Sequence, residues 1–231
     1  MKPSYLKGVQ ALLLDMNSTF MFGEDRFGSD EDFSLIYRRL GGELPWETVN
    51  ILIRTSYRYL EKRYPLIEYR EAFPTLEEAI RKASGDALSS TEVKALITTF
   101  SHHERGIIPS SYIEVLRYLK GRYRLGLVID IWAPKDLWVS YFKELGIYDW
   151  FDAFSFSSEC GCVKPSARGY QNVLRSMSLE PQHTIVIGDS VRRDLGGAQA
   201  AGMECVLVGD VTSKRALAVY PDLLALCEAW R

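Results

Sequence analysis

Ala11-Leu12-Leu13-Leu14-Asp15-Met16-Asn17-Ser18-Thr19 is the stretch that decides the fold. Its apolar residues run without a polar face, the pattern of a strand buried on both sides, and in an α/β protein such a strand lies at the centre of a parallel sheet. Asp15 ends the run. A carboxylate at the carboxyl end of a central parallel strand meets the crevice where such sheets bind ligands, so it reads as a nucleophile or a metal ligand. The competing reading is an Asp that caps the following turn.

Similar runs recur downstream of Pro109. Leu125-Gly126-Leu127-Val128-Ile129, Ala153 to Phe156, His183-Thr184-Ile185-Val186-Ile187 and Glu204-Cys205-Val206-Leu207-Val208 read as further strands, the last of them ending the sheet. Helical periodicity fills the gaps: Tyr112, Val115, Leu116 and Leu119 up to Gly121; Pro134 to Leu145, closed by Gly146; Ser166 to Met177; and Asp194 to Ala201, ending at Gly202. Strands separated by helices of this length imply an α/β fold, a doubly wound parallel sheet with helices on both faces, because right-handed crossovers leave few other solutions.

The segment between the first strand and this alternation has a different period. Ser18 to Asp32 is a turn or flap leading out of the core, and from Phe33 to about Phe100 the pattern is helical. Trp46, Val49, Ile53, Tyr57 and Leu60 form one seam, with Pro45 at its start and Pro65 beyond its end. Thr75 precedes Glu78 and Ser89 precedes Glu92 at capping-box spacing, which adds two more helices. Residues 23–105 therefore read as an α-helical insertion, a cap domain on a core made of residues 1–22 and 106–231.

Composition bounds the function. The 231 residues are 47% hydrophobic and 25% charged, enough for one α/β core plus an inserted subdomain. Lys and Arg number 28 against 30 Asp and Glu, a net charge of −2, so there is no electrostatic case for nucleic acid or for an anionic membrane surface. The polar amino end is followed by an apolar run too short for a signal peptide or a membrane span, and the expected location is the cytoplasm. Cys160, Cys162, Cys205 and Cys227 match neither a disulfide framework nor a zinc pattern and are expected to be reduced thiols.

Three constellations fall at strand ends: Asp15 after the first strand, Lys164-Pro165 after the short one, and Gly188-Asp189-Ser190-Val191-Arg192-Arg193-Asp194 after the third long one. In a parallel sheet these loops emerge on one edge. Asp15 and Asp189 can then share a divalent cation, and hard oxygen ligands with room for water suit Mg²⁺. Lys164 would neutralise the charge gathered there and orient the nucleophile.

In these motifs the chain resembles the haloacid dehalogenase superfamily, in the subfamily whose helical cap follows the first strand. Asp15-Met16-Asn17-Ser18-Thr19 matches the family's Asp-x-Asp-x-Thr, Lys164-Pro165 its lysine motif, and Gly188-Asp189 with Asp194 its acidic motif. The resemblance implies a Rossmann-type core and attack by Asp15 to form an aspartyl intermediate. It also implies Mg²⁺ held by the Asp15 carboxylate, the backbone carbonyl of Asn17 and Asp189, with support from Asp194. A small anionic substrate, met by Thr19 and Lys164, completes what is carried over.

The chain departs from the pattern twice. The family's phosphatases carry a second Asp two residues after the nucleophile, and here Asn17 stands in its place. An amide cannot transfer a proton, a loss typically worth about 10²–10⁴-fold. The family also places a Ser or Thr after the second core strand, whereas the polar residue at that strand end is Asp130. Asp130 can restore the proton-transfer group from the opposite side, or it can simply cap the next helix or pair with a neighbouring cation. Three functions stay open: a Mg²⁺-dependent phosphatase or phosphotransferase acting on a small phosphorylated metabolite, a hydrolase of a non-phosphate substrate, or a catalytically weak binding or regulatory protein.

Two further clusters have plainer readings. His102-His103-Glu104 reads as a solvated helix terminus, because adjacent residues there point different ways. Arg54, Arg58, Lys62 and Arg63 read as the outward face of the seam helix, the place such a helix puts its polar groups.

Overall fold

The computed structural model describes residues 3–85 and 87–231. In chain order its main elements are β1 (Ala11–Leu14), α1 (Ser34–Arg39), α2 (Trp46–Glu61), α3 (Leu76–Ser84), α4 (Ser90–Glu104), α5 (Ser110–Lys120), β2 (Arg124–Ile129), α6 (Asp136–Glu144), β3 (Ala153–Phe156), α7 (Ser157–Cys160), α8 (Ala167–Met177), β4 (Thr184–Gly188), α9 (Gly196–Ala200), β5 (Glu204–Val208), β6 (Ala218–Tyr220) and α10 (Leu223–Ala229). All strands pair in parallel, in the order β3-β2-β1-β4-β5-β6. The order reverses between β1 and β4, so the crevice that a doubly wound sheet offers its ligand lies between Asp15 and Asp189.

The period-two side-chain rule divides the core. Leu12, Leu14, Leu125, Leu127, Ile129, Ile185, Ile187, Val206 and Val208 face one layer, shared with α5, α6 and α10. Ala11, Leu13, Val128, Val186, Cys205 and Leu207 face the other, shared with α8 and α9. All four residues of β1 are fully buried, as its unbroken apolar run requires.

Helices α1 to α4 form the inserted region. Both expected capping boxes close: Glu78 N–H donates to Thr75 Oγ1 at 3.2 Å and Thr75 N–H to Glu78 Oε2 at 2.9 Å, and Ser89 and Glu92 do the same for α4. Val49, Ile53 and Leu60 bury the seam of α2, but Trp46 at its start is 54% exposed. The chain leaves and returns side by side. Phe22 and Ile107 exchange both backbone hydrogen bonds, at 2.9 and 2.8 Å. The Arg26 guanidinium then binds the carbonyls of Gly23, Arg105 and His102.

Five expectations are corrected. The sheet does not end at Val208: β6 and α10 follow, and a three-residue, half-buried strand is too short to announce itself by periodicity. The helix expected from Asp194 is preceded by a wide turn over Val191–Leu195 that swings Asp194 back under Gly188. His103 and Glu104 are buried, because the end of α4 packs beneath Arg26 and the loop after β2. Cys160 and Cys162 are joined as a disulfide, with Gly161 at φ +64° turning the chain between them; Cys205 and Cys227 are free. Arg54 also binds the carbonyls of Gly28, Ser29 and Glu31 rather than facing only solvent.

Candidate functional site

The carboxyl ends of β1 and β4 bring three acidic side chains together. One carboxylate oxygen each from Asp15, Asp189 and Asp194 lies within 4.8 Å of the others. Asp15 is fixed by the sheet itself, since its N–H donates to Ile187 O at 2.8 Å. Asp194 reaches the same place because Gly188 has no side chain: a Cβ there would overlap the Asp194 carboxylate. Its Oδ2 accepts from Ser190 N–H at 3.0 Å, and its Oδ1 from Lys164 Nζ at 2.8 Å and from the Tyr170 hydroxyl at 3.4 Å.

Lys164 arrives from the loop after β3, and its buried ammonium joins the site by donating to both Asp15 Oδ1 and Asp194 Oδ1. Burial alone would lower its proton affinity, but the carboxylates of Asp15 and Asp194 hold it above the ordinary lysine value. Burial pushes Asp15 up to about 7 against the pull of Lys164, with Asp194 adding to the rise. Asp189 is raised as well, by burial and by Asp194. Three carboxylates facing one ammonium leave negative charge in a desolvated place.

The donor set fits a hard divalent cation. Beyond the three carboxylates, Asn17 Oδ1 is a buried acceptor with no hydrogen-bond donor among the described residues; within the cluster, Asp189 Oδ1 has none either, with the Arg193 guanidinium 3.6 Å away. Buried oxygen atoms without donors are costly unless something positive meets them. Thr19 is buried, and its hydroxyl donates to Asp15 Oδ2 at 3.0 Å.

Asp130 lies at the end of β2, next to Lys164 but not in the carboxylate cluster. Its Oδ2 accepts from Lys164 N–H at 2.9 Å and from the Tyr64 hydroxyl at 2.5 Å. Burial raises its proton affinity, opposed by Lys164 and by these bonds. Tyr64 belongs to the insertion, just past α2, and the Arg193 guanidinium lies 3.5 Å from its hydroxyl. Trp132, in the loop after Asp130, is ringed by Tyr57, Tyr64, Phe73 and Phe100 at 5.3–6.5 Å. Beside this contact a cavity of about 330 Å³ opens between insertion and core, lined by Phe73, Leu76, Ile97, Trp132, Lys135 and Ser157 among others.

Sequence reasoning missed Tyr64, Tyr170 and Arg193, and it read Glu104 as part of a solvated helix terminus although the side chain is buried. Tyr64 sits in the turn that follows α2 and Tyr170 within α8, with nothing in their spacing to mark them. Arg193 lies inside the acidic motif and was in view without a role. Glu104 is the most buried acid outside the cluster: it accepts from Trp132 N–H at 2.5 Å and Ala133 N–H at 3.0 Å.

A doubly wound sheet with a helical insertion after its first strand, and an Asp-Lys-Asp-Asp cluster at its switch point, defines a hydrolase of the capped α/β kind. The family description for haloacid dehalogenase-like hydrolases matches residues 9–202, and the chain belongs to that family. Among curated proteins it is 35% identical to a glyceraldehyde 3-phosphate phosphatase of Methanothermobacter thermautotrophicus over 86 residues, 37% of each chain. It is 38% identical over 91 residues to a mouse haloacid dehalogenase-like hydrolase domain-containing protein 3, covering 39% of this chain and 36% of that one. These matches span well under half of the relatives' lengths. Two solved structures share the fold over most of both chains: a phosphatase of the family from Thermococcus onnurineus (TM-score 0.63, 20% identity, 95% and 97% covered) and a 2-haloacid dehalogenase from Pseudomonas syringae (0.64, 18%, 96% and 97%). Among the described residues no helix is long and apolar enough to cross a membrane.

Proposed function

We propose that this protein is a Mg²⁺-dependent phosphatase or phosphotransferase acting on a small phosphate ester in the cytoplasm. The observation that carries the reading is the convergence of Asp15, Asp189 and Asp194 on one point beside the Lys164 ammonium. Residues 1–22 and 106–231 act as the catalytic core and residues 23–105 as its cap. A divalent cation held by Asp15, Asp189, the Asn17 carbonyl and Asp194 would offset the charge of the phosphoryl oxygens. Lys164 holds the Asp15 carboxylate in place and adds a second positive charge; Asp15 attacks phosphorus, the ester oxygen leaves, and water later cleaves the aspartyl phosphate. The cavity between cap and core takes the organic part of the ester, and Thr19, now bonded to Asp15, turns to a phosphoryl oxygen.

The leaving oxygen needs a proton that Asn17 cannot supply. We assign that transfer to Asp130, which is desolvated, raised in proton affinity and in contact with the Lys164 backbone. Asn17 also favours a second reading, a binding protein with slow turnover. Phosphate release from a panel of small phosphate esters, with Mg²⁺ and with chelator, tests both. Release that needs Mg²⁺ and disappears in Asp15→Asn supports the phosphatase. Release from halogenated acids without metal, or release from neither class of substrate, sinks it.

A further inference from the structure

The Cys160–Cys162 bridge stands at the point where the Lys164 loop meets the helical insertion. Four backbone groups around it are committed in opposite directions. Gly161 O accepts from Phe73 N–H at 2.9 Å, Val163 N–H donates to Arg70 O at 2.9 Å, the Cys160 carbonyl accepts from the Arg168 guanidinium, and Lys164 N–H donates to Asp130. Ser166 Oγ adds a bond to Glu71 Oε2 at 2.9 Å. Residues 70–73 of the insertion are thus bound, almost entirely through backbone atoms, to the segment that carries both cysteines and, two residues on, Lys164.

We propose that Cys160 and Cys162 form a reversible redox site that sets how firmly the insertion is held on the Lys164 loop. The bridge is poorly suited to be a structural staple. Disulfide stabilisation grows with the length of chain enclosed, and this one encloses a single residue. Its Cα–Cα separation of 5.3 Å lies within the ordinary disulfide range, and Gly161 adopts the left-handed backbone that lets both sulfurs face one another. Reduced, the two thiols cannot stay at a bonding separation of about 2 Å. The turn at Gly161 must widen, and the carbonyl that receives Phe73 N–H moves with it.

The oxidant is a low-molecular-weight disulfide. The half-buried Cys160 is the accessible thiol, whereas Cys162 is 3% exposed. The Cys160 thiolate attacks one sulfur of the small disulfide and expels one small thiolate. The Cys162 thiolate then attacks Cys160 Sγ in the mixed disulfide and expels the second. Two electrons pass from the cysteine pair to the small disulfide, and the two protons go to the two released thiols.

The test needs no substrate, so it can fail independently of the phosphatase reading. The whole protein is equilibrated with excess oxidised or reduced small-molecule thiol, alkylated, and mapped by mass, while amide hydrogen exchange is followed at Phe73 and Val163. Oxidised protein should resist alkylation at both Cys160 and Cys162, and reduction should make both reactive and speed exchange at the two amides by about tenfold or more. Cys160→Ser should exchange at the fast rate under both conditions. Two thiols that stay alkylatable in excess disulfide overturn the proposal. So does equal exchange in the two states, or a redox response that survives Cys160→Ser.

Discussion

The Tyr64 hydroxyl, carried by the helical insertion, donates to Asp130 Oδ2 at 2.5 Å, and the backbone N–H of Lys164 donates to the same oxygen at 2.9 Å. One carboxylate oxygen at the end of β2 therefore touches the insertion and the lysine loop together. Burial and the neighbouring carboxylate push the Tyr64 phenol well above its ordinary range, so it stays a donor.

Tyr64→Phe keeps the ring against Trp132 and removes only this donor. Turnover should fall by about tenfold or more, a modest fraction of a general acid's usual contribution, and the alkaline limb of the pH profile, where the acid loses its proton, should move to higher pH as Asp130 loses a partner that lowers its proton affinity. Asp130→Ser should abolish that limb. If Tyr64→Phe and Asp130→Ser both match the wild type while Asp15→Asn is dead, the proton donor lies elsewhere.

Asp15→Asn removes the attacking oxygen while preserving shape and the Thr19 contact. Turnover should drop to background, at least about 10³-fold, as when other enzymes lose their nucleophile. Circular dichroism should be unchanged. Activity within tenfold of wild type would mean that another residue is the nucleophile.

Gly188→Ala tests how Asp194 is placed. The added Cβ would sit where the Asp194 carboxylate now lies, so Asp194 must leave Lys164 or the strand must shift. Overpacking of this kind typically costs about 1–3 kcal/mol. Mg²⁺ should then raise the melting temperature of the variant less than it raises that of the wild type. Equal Mg²⁺ shifts in the two proteins would show that Asp194 does not matter to the cation.

Glu104 supplies a pH dependence remote from the carboxylate cluster. Burial, with Asp25 adding, pushes it up to about 8 from an ordinary 4.5, against the two backbone donors at Trp132 and Ala133. An acid raised on folding binds its proton more tightly in the native state. Its contribution is fully present below pH 4.5 and is lost as pH rises through about 8. His102 and His103 are lowered by burial and slope the opposite way, but only below their ordinary 6.5. Between pH 6.5 and 8 the melting temperature should fall more steeply in wild type than in Glu104→Gln. Parallel curves would rule out a raised Glu104.

The sheet was legible in the sequence because burial on both faces leaves unbroken apolar runs at β1, β2, β4 and β5. The carboxylate cluster was legible because Asp15 and the 188–194 loop each end such a run. Glu104 was misread because its burial comes from the loop at Trp132 and Ala133, distant in sequence. Cys160 and Cys162 were misread because their pairing depends on one backbone dihedral at Gly161. Tyr64 could not be found at all: its partner is set by how the insertion sits on the core, which no local pattern records.

The paired linkers at Phe22 and Ile107 bear on how the chain assembles. With those two residues bonded to one another, everything between them is, to the sheet, a single closed loop, and the cost of closing a loop grows only with the logarithm of its length. β1 and β2 can pair almost as if they were consecutive in sequence. Residues could be added to or trimmed from the insertion far from this gate with little entropic penalty to the strand carrying Asp15.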